Sequence, residues 1–202
     1  VRYNSGNNET GAECIIIGSQ SNNSSTSVNT EYVIGRAASG SGTNTFTIGR
    51  GDTDVQINLD GSDTSWSATS DERLKDNINS LSVGLDFINE LRPVTYEWKK
   101  KKDVDESLVV DGKTVQSKYY EEDSTEPCRG DGGIHYGLIA QEIKTTIDKY
   151  NLTGNHHIWK EGVDGFQVVG VGNVMPILIN AVKELSTALD AAVARIKTLE
   201  DK

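Results

Sequence analysis

The 202-residue chain is short of the residues that staple or stiffen a fold: it has two cysteines, three prolines, one methionine, three phenylalanines and three tryptophans. Cys14 and Cys128 lie far apart and show no metal-ligand spacing, so neither a disulfide framework nor a zinc site is expected; free thiols in a reducing compartment fit better. No apolar run is long enough to cross a bilayer as a helix, which argues against membrane insertion. The opening residues Val1-Arg2-Tyr3-Asn4 lack a charged leader followed by an apolar stretch, so no signal peptide is expected. Basic arms are missing too. With 20 Lys and Arg against 30 Asp and Glu, the formal charge is -10, which repels phosphate backbones and excludes nucleic acid as an expected partner.

What is present falls into two stretches with different grammar. Up to about Thr69 the chain is rich in Gly, Ser, Thr and Asn, and a phrase recurs: Ile15-Ile16-Ile17-Gly18-Ser19, Tyr32-Val33-Ile34-Gly35-Arg36 and Phe46-Thr47-Ile48-Gly49-Arg50. Each copy reads as a short strand closed by a glycine able to turn with positive φ, and Val55 to Gly61 alternates apolar with polar in the same way. Strands with so thin an apolar stripe cannot bury it alone, and several identical chains wound together would supply the neighbours. An intertwined β-stalk is therefore expected over residues 1–69, with a small β-sandwich or a Gly-rich leader as alternatives.

From Ser70 onward helix formers, aromatics and charges take over. Ser70-Asp71-Glu72-Arg73-Leu74-Lys75 reads as a helix start with Ser70 as N-cap and acidic residues in the first turn. Leu85, Ile88 and Leu91 keep helical spacing within a helix over 83–91 ended by Pro93, and Val94-Thr95-Tyr96-Glu97-Trp98 reads as a strand. Residues 99–133 form a long excursion with a hairpin turn expected at Asp111-Gly112, before a second core segment from His135 to Ile143. Lys99 to Lys102 is followed by Asp103, Asp105 and Glu106, the pattern of a solvated loop. Arg129-Gly130-Asp131 spells an integrin-recognition tripeptide, for which chance in a Gly-rich loop is the better account.

The last segment is the most regular. Leu178, Val182, Leu185, Leu189, Ala192, Ile196 and Leu199 follow one another by alternate steps of four and three, the seam of a coiled-coil helix over 175–202, with Pro176 in its first turn. The alternative is an amphipathic helix lying on its own domain. The heptads do not fix a strand number. The fold class expected overall is α+β: an intertwined homotrimeric β-stalk of short Ile-Gly repeats, then a small α+β domain ending in that long helix.

Read together, these phrases have a counterpart. Ser70-Asp71-Glu72-Arg73-Leu74-Lys75-Asp76-Asn77-Ile78 resembles the opening signature of the intramolecular chaperone, or peptidase S74, family: Ser-Asp, any residue, Arg-Leu-Lys, any residue, Asn-Ile. Leu85 through Trp98 is similar to the family's helix followed by Pro-Val-x-Tyr-x-Trp, and Tyr136-Gly137-Leu138-Ile139-Ala140-Gln141-Glu142 to its second signature. The resemblance departs from the family at Gly170-Val171, where an Asp-Tyr pair is common, and in the length of the 99–133 insertion. It implies a homotrimeric module at the end of a phage tail fibre or tailspike, with 70–202 as the self-cleaving chaperone. Such a module aligns three chains, lets the upstream stalk fold and is released, the mature fibre remaining on the virion to meet a host receptor or glycan.

The resemblance places the cut between Thr69 and Ser70 and makes Ser70 and Lys75 a catalytic dyad, with no metal or other cofactor. Chemistry sets the conditions. A serine hydroxyl is a weak nucleophile until a base takes its proton, and a lysine serves only when its pKa falls from about 10.4 to roughly 7 to 8, by desolvation or nearby positive charge. Arg73 is a candidate source of that charge, and Asp71, Arg73 and His135 are candidates for supporting the site. Five residues of α-helix turn through about 500°, so Ser70 must sit ahead of the helix or Lys75 must reach another chain. His156 and His157 suggest no metal site.

Two functions follow. One is a folding chaperone with single-turnover serine endopeptidase activity on itself; the other is a permanent trimeric adhesin or receptor-binding fibre tip that is never cut. A glycan hydrolase is disfavoured because no convincing carboxylate pair is visible.

Overall fold

The computed structural model describes residues 2–3, 13–51, 53–105, 109–110, 113–114, 119–154, 156–162 and 165–202. It divides into two compact units, Val1–Ile78 and Asn79–Lys202.

The first unit is a single sheet of six strands in chain order: β1 (Arg2–Tyr3), β2 (Ile15–Ser19), β3 (Glu31–Arg36), β4 (Thr45–Arg50), β5 (Val55–Asn58) and β6 (Ser67–Ala68). The three Ile-Gly phrases are β2, β3 and β4, paired in parallel and in register, so that Ile17, Ile34 and Ile48 form one row and Gly18, Gly35 and Gly49 sit at the equivalent place. The neighbouring strands that the repeats require, expected from other chains, are supplied by the next repeat of the same chain. β5 folds back antiparallel on β4, and β6 antiparallel on β5.

The glycines lie inside their strands rather than closing them, and close approach is the stronger reason for them. A Cβ on Gly18 would sit 1.6 Å from the Gly35 carbonyl oxygen, and one on Gly35 would sit 1.9 Å from that of Gly49. The turning is done at the corners instead, where Thr30 and Asn44 before their strands, and Ala37 and Gly51 after theirs, take positive φ. Rung-to-rung bonds lock these corners: the Ala37 amide donates to the Ser19 carbonyl at 2.8 Å and the Gly51 amide to the Arg36 carbonyl at 2.9 Å.

Val28, Val33, Ala38, Thr47 and Ser21 fill a narrow interior together with Glu31. The Glu31 carboxylate is fully buried and accepts backbone amides from Ser24 at 2.9 Å and Gly42 at 2.6 Å, so a charged group replaces apolar filling where the loops come in. Alternation along the strands puts Val33 and Thr47 inside and leaves Ile15, Ile17 and Ile48 on the outer face, 40 to 52 % exposed. The more apolar rows of this sheet face outward.

The second unit is built around an apolar core of Val83, Phe87, Ile143, Ile147, Ile158, Val174 and Ile177. α1 (Leu85–Glu90) supplies Phe87, α2 (Ala140–Lys149) supplies Ile143 and Ile147 at helical spacing, and α3 (Met175–Glu200) supplies Ile177. Between them, β7 (Val94–Tyr96) pairs antiparallel with β10 (His135–Gly137), and β11 (Trp159–Glu161) with β12 (Gln167–Val169). Within the 99–133 insertion β8 (Val109–Val110) pairs with β9 (Lys113–Thr114) as a hairpin requires, although the expected turn residues Asp111 and Gly112 lie outside the described residues. The base of the insertion is tied by the Cys128 amide to the Lys99 carbonyl at 2.7 Å, and by Lys101 Nζ to Glu121 at 2.8 Å and Glu126 at 3.3 Å. Those two carboxylates raise the Lys101 pKa. Lys101 is thus an ion-paired anchor at the loop base.

Gly170, where the resemblance departs from the family, has its own reason: a Cβ there would stand 2.3 Å from the His157 carbonyl oxygen. Its amide donates to the Ile158 carbonyl at 2.8 Å, and a short 3₁₀ segment, Val171–Val174, then leads into α3.

α3 runs for 26 residues, with Pro176 in its first turn as expected. Only its beginning meets the core. Ile177 and Ala181 are buried, while Asn180 Nδ2 donates to the Val83 carbonyl at 3.0 Å and Glu184 accepts the Leu85 amide at 2.7 Å. Glu184 thereby caps α1 from outside, since Gly84 at the cap position carries no side chain and a Cβ there would collide with that carboxylate. The heptad positions lie on another side of α3: Leu178, Val182, Leu185, Leu189, Ile196 and Leu199 are 41 to 61 % exposed. In the single chain the seam is not laid on the second unit's core.

Candidate active site

The segment from Thr69 to Lys75 belongs to the first unit and follows directly on β6. The expected helix start reduces to one 3₁₀ turn, Glu72–Leu74, and its cap is Asp71 rather than Ser70: the Asp71 side chain accepts the Arg73 amide at 2.9 Å. Ser70 is thereby free of the capping role, and Lys75, past the end of the turn, returns to an extended backbone. Because the turn is a single tight one, with about three residues per turn, the residues on either side of it can meet again. Lys75 Nζ donates to Ser70 Oγ at 2.6 Å, within one chain. The angular objection that holds for a continuous α-helix is removed by the brevity of the turn.

Asp71 and Arg73 complete the arrangement. Arg73 also donates to the Asp71 carboxylate from Nε at 3.0 Å and from Nη2 at 2.6 Å. The Asp71 carboxyl is held below its usual value first by the Arg73 guanidinium, then by the Arg73 amide, with the charge of Lys75 adding to the same effect; Asp71 raises the Arg73 pKa in turn. The guanidinium charge is therefore matched by the carboxylate beside it, and Arg73 works as one half of a clamp on the turn rather than as an isolated cation facing Lys75. Both Ser70 and Lys75 are exposed in the single chain. Desolvation of the lysine would have to come from another source.

Thr69 has distinctive surroundings. It lines a cleft of about 400 Å³ with Ala37, Ser39, Ser41, Gly51, Asp54, Gln56 and Ser67, a mostly small and polar wall contributed by the corners of the repeats and by β5. Asp54 Oδ2 accepts the Ser39 amide there at 3.0 Å, while Asp54 Oδ1 is buried without a hydrogen-bond partner. Sequence reasoning missed this cleft, because it arises from residues 37 to 69 meeting through strand register rather than from any motif.

His135 belongs to the second unit, on β10, where its ring stacks at 5.5 Å on Tyr96 and lies near Trp98. Asp131 stands 3.4 Å from its Nε2, too poorly aligned to count as a hydrogen bond, so that buried nitrogen has no hydrogen-bond partner. Its neighbours make it part of an aromatic cluster. Arg129 of the Arg-Gly-Asp tripeptide lies over the Trp98 and Tyr119 rings at 5.2 and 5.7 Å. Cys14 and Cys128 form no disulfide, and no group of three or more metal-ligating side chains occurs among the described residues.

Residues 70–151 match the peptidase S74 family, described as chaperone of endosialidase. The match opens on Ser70, takes in the 3₁₀ turn, α1, β7, the insertion, β10 and α2, and ends before β11, β12 and α3. No curated protein and no solved structure matches the chain.

Proposed function

From the premise that residues 70–151 carry a chaperone-of-endosialidase domain, we propose that this chain is the end of a homotrimeric fibre or spike, one whose chaperone aligns three copies and then cuts itself away between Thr69 and Ser70. The observation that carries this reading is the 2.6 Å contact between Lys75 Nζ and Ser70 Oγ at the first residue of the family match.

The reaction needs neutral Lys75 to take the Ser70 hydroxyl proton as Oγ attacks the Thr69 carbonyl carbon. The tetrahedral intermediate collapses by breaking the bond to the Ser70 nitrogen, which accepts the proton back from Lys75. Thr69 is then held as an ester on Ser70 Oγ. Water, deprotonated by the same amine, hydrolyses that ester, leaving a carboxylate on Thr69 and a free amino group on Ser70. One turnover per chain is sufficient.

Assembly supplies the trigger. The lysine has to be desolvated to act as a base, and its cover in this reading is a neighbouring copy. The bare heptad seam of α3 and the outward isoleucine rows of the ladder support self-association, since a long helix with an uncovered apolar stripe is marginal alone. Holding three chains together at one end raises the effective concentration of each stalk for the others. The mature fibre stays on the virion and meets a host receptor or glycan, while the 70–202 fragment leaves.

Purified chain and its Lys75→Ala variant, followed for oligomeric state and chain length, test this. Both should form trimers and only the parent should shorten, to a fragment ending at Thr69. A variant that shortens as fast as the parent would remove Lys75 from the chemistry, and monomers throughout would remove the chaperone role. Stable full-length parent trimers would instead favour a permanent adhesin tip.

A further inference from the structure

The proposed cut changes the chemistry of Ser70 as well as the length of the chain. In the intact chain the Ser70 nitrogen is an amide, which neither accepts a proton nor attacks a carbonyl. Once the Thr69–Ser70 bond is broken it is an α-amine with an ordinary pKa of about 7.7 to 8.0, so near pH 8 roughly half of it carries a free lone pair. That lone pair stands on the carbon next to the one that bears Oγ. Lys75 Nζ donates to Oγ at 2.6 Å, which occupies an acceptor position of the oxygen and leaves its own proton to find another acceptor. The new amine is such an acceptor, and chain-terminal amines do activate the hydroxyls beside them. The arrangement does not need the broken bond. The Asp71 side chain accepts the Arg73 amide at 2.9 Å and its guanidinium Nε at 3.0 Å, the Leu74 amide donates to the Asp71 carbonyl at 3.1 Å, and the Lys75 amide to the Glu72 carbonyl at 3.0 Å. These bonds lie wholly on the 70–202 side of the cut. Ser70 and Lys75 are exposed, so a reagent from solution reaches them.

We propose that the end made by the cut is a single-use acyl acceptor: Ser70 Oγ of the 70–202 piece takes an acyl group from a small thioester and passes it to its own nitrogen. This rests on the proposed cleavage reading and goes beyond it, since it gives the same hydroxyl a second substrate. A hydroxyl positioned to attack an amide meets a more reactive carbonyl in a thioester, whose thiolate is the better leaving group. The amine takes the Oγ proton as the oxygen attacks the thioester carbonyl carbon. The carbon–sulfur bond breaks, and the thiolate carries that proton away as thiol. The acyl group is then an ester on Oγ. The amine, neutral again, attacks the ester carbonyl through a small ring; the bond to Oγ breaks, the oxygen takes up the proton that the nitrogen loses, and an amide remains. Thioester and amine have become amide and thiol, with nothing oxidised or reduced. This last step is the first step of the cut run backwards, ester to amide, in the same turn. The product has no amine, so the site works once and the released piece ends capped.

The purified chain is left until intact mass shows the cut to be complete, and the unseparated pieces are given the acetyl thioester of N-acetylcysteamine at about pH 8. Peptide mapping locates the acetyl group, hydroxylamine tells an amide from an ester, and thiol release is followed alongside. The uncut Ser70→Ala chain is the blank for acetylation of lysines. Each 70–202 piece should gain one hydroxylamine-stable acetyl on the Ser70 nitrogen. It should do so on the order of 100-fold faster than the same pieces in concentrated urea, the scale lost when a reacting group is misplaced. An equal rate in urea would mean that any terminal serine does the same, and would overturn the inference. Thiol release that continues past one acetyl per piece would overturn it too, because water and not the Ser70 nitrogen would then be taking the acyl group. Acetylation confined to lysines has the same consequence. In each of these cases the cut itself has been seen, so the dyad reading stands. A parent that stays whole would sink the cleavage reading, and this inference with it.

Discussion

The two units solve the burial problem in opposite ways. The second unit closes around Phe87, Ile143 and Ile177 and leaves the apolar seam of α3 uncovered. The ladder buries Val33, Thr47, Ser21 and a carboxylate, and turns Ile15, Ile17 and Ile48 outward. One unit is stabilised by apolar packing, the other by backbone register, close glycines and amides bonded to Glu31. The difference lies in which apolar surfaces each unit leaves open. A unit that keeps its less apolar rows inside and a helix that packs by a side other than its seam both leave apolar faces uncovered, the faces on which the proposed self-association rests.

The comparison breaks most visibly at the seam. Replacing Leu185 and Leu189 together by Asp should abolish association, because charges would have to be buried at two successive layers, while the core around Phe87 keeps its stability. Sedimentation and urea unfolding read the two effects separately; trimers surviving the double change would mean that α3 is not the clamp. Next in size, Phe87→Ala should cost the second unit about 3 to 5 kcal/mol, measured by urea unfolding of a full-length chain that already carries Ser70→Ala. Gly35→Ala should cost the ladder about 1 to 3 kcal/mol through overpacking against the Gly49 carbonyl, with little change in the unfolding of the second unit.

The smallest effect concerns the clamp. The Asp71 carboxyl is held below its ordinary value by Arg73, so its contribution is complete above about pH 4 and lost only as pH falls through the lowered value. Asp71→Asn should reproduce at neutral pH the loosening that acid causes in the parent, read as a longer cleavage half-life. An unchanged half-life would leave the turn held by other contacts.

Sequence and structure agree best where one residue type has one use. The helix around Phe87, the strand at Val94, the hairpin strands flanking 111–112 and the long terminal helix were all legible from periodicity and breakers. The repeats were legible as strands but not as each other's neighbours. Similar phrases spaced 17 and 14 residues apart can pair within a chain or between chains, and the choice depends on corners such as Thr30 and Ala37 that take positive φ against their residue preference. Ser70 and Lys75 were singled out together, as a candidate pair, by the signature. Their meeting was not legible, because it depends on the turn ending after Leu74, a boundary set by the Asp71 and Arg73 side chains rather than by helix propensity. The cleft at Thr69 carried no sequence signal at all.

The most direct test of the account is the intact mass of the purified chain beside its Ser70→Ala variant. The account predicts that the parent separates into a piece ending at Thr69 and a piece beginning at Ser70 while the variant stays whole. A parent that remains one full-length chain in assembled trimers, or a Ser70→Ala variant that is cut at the same bond, would contradict it.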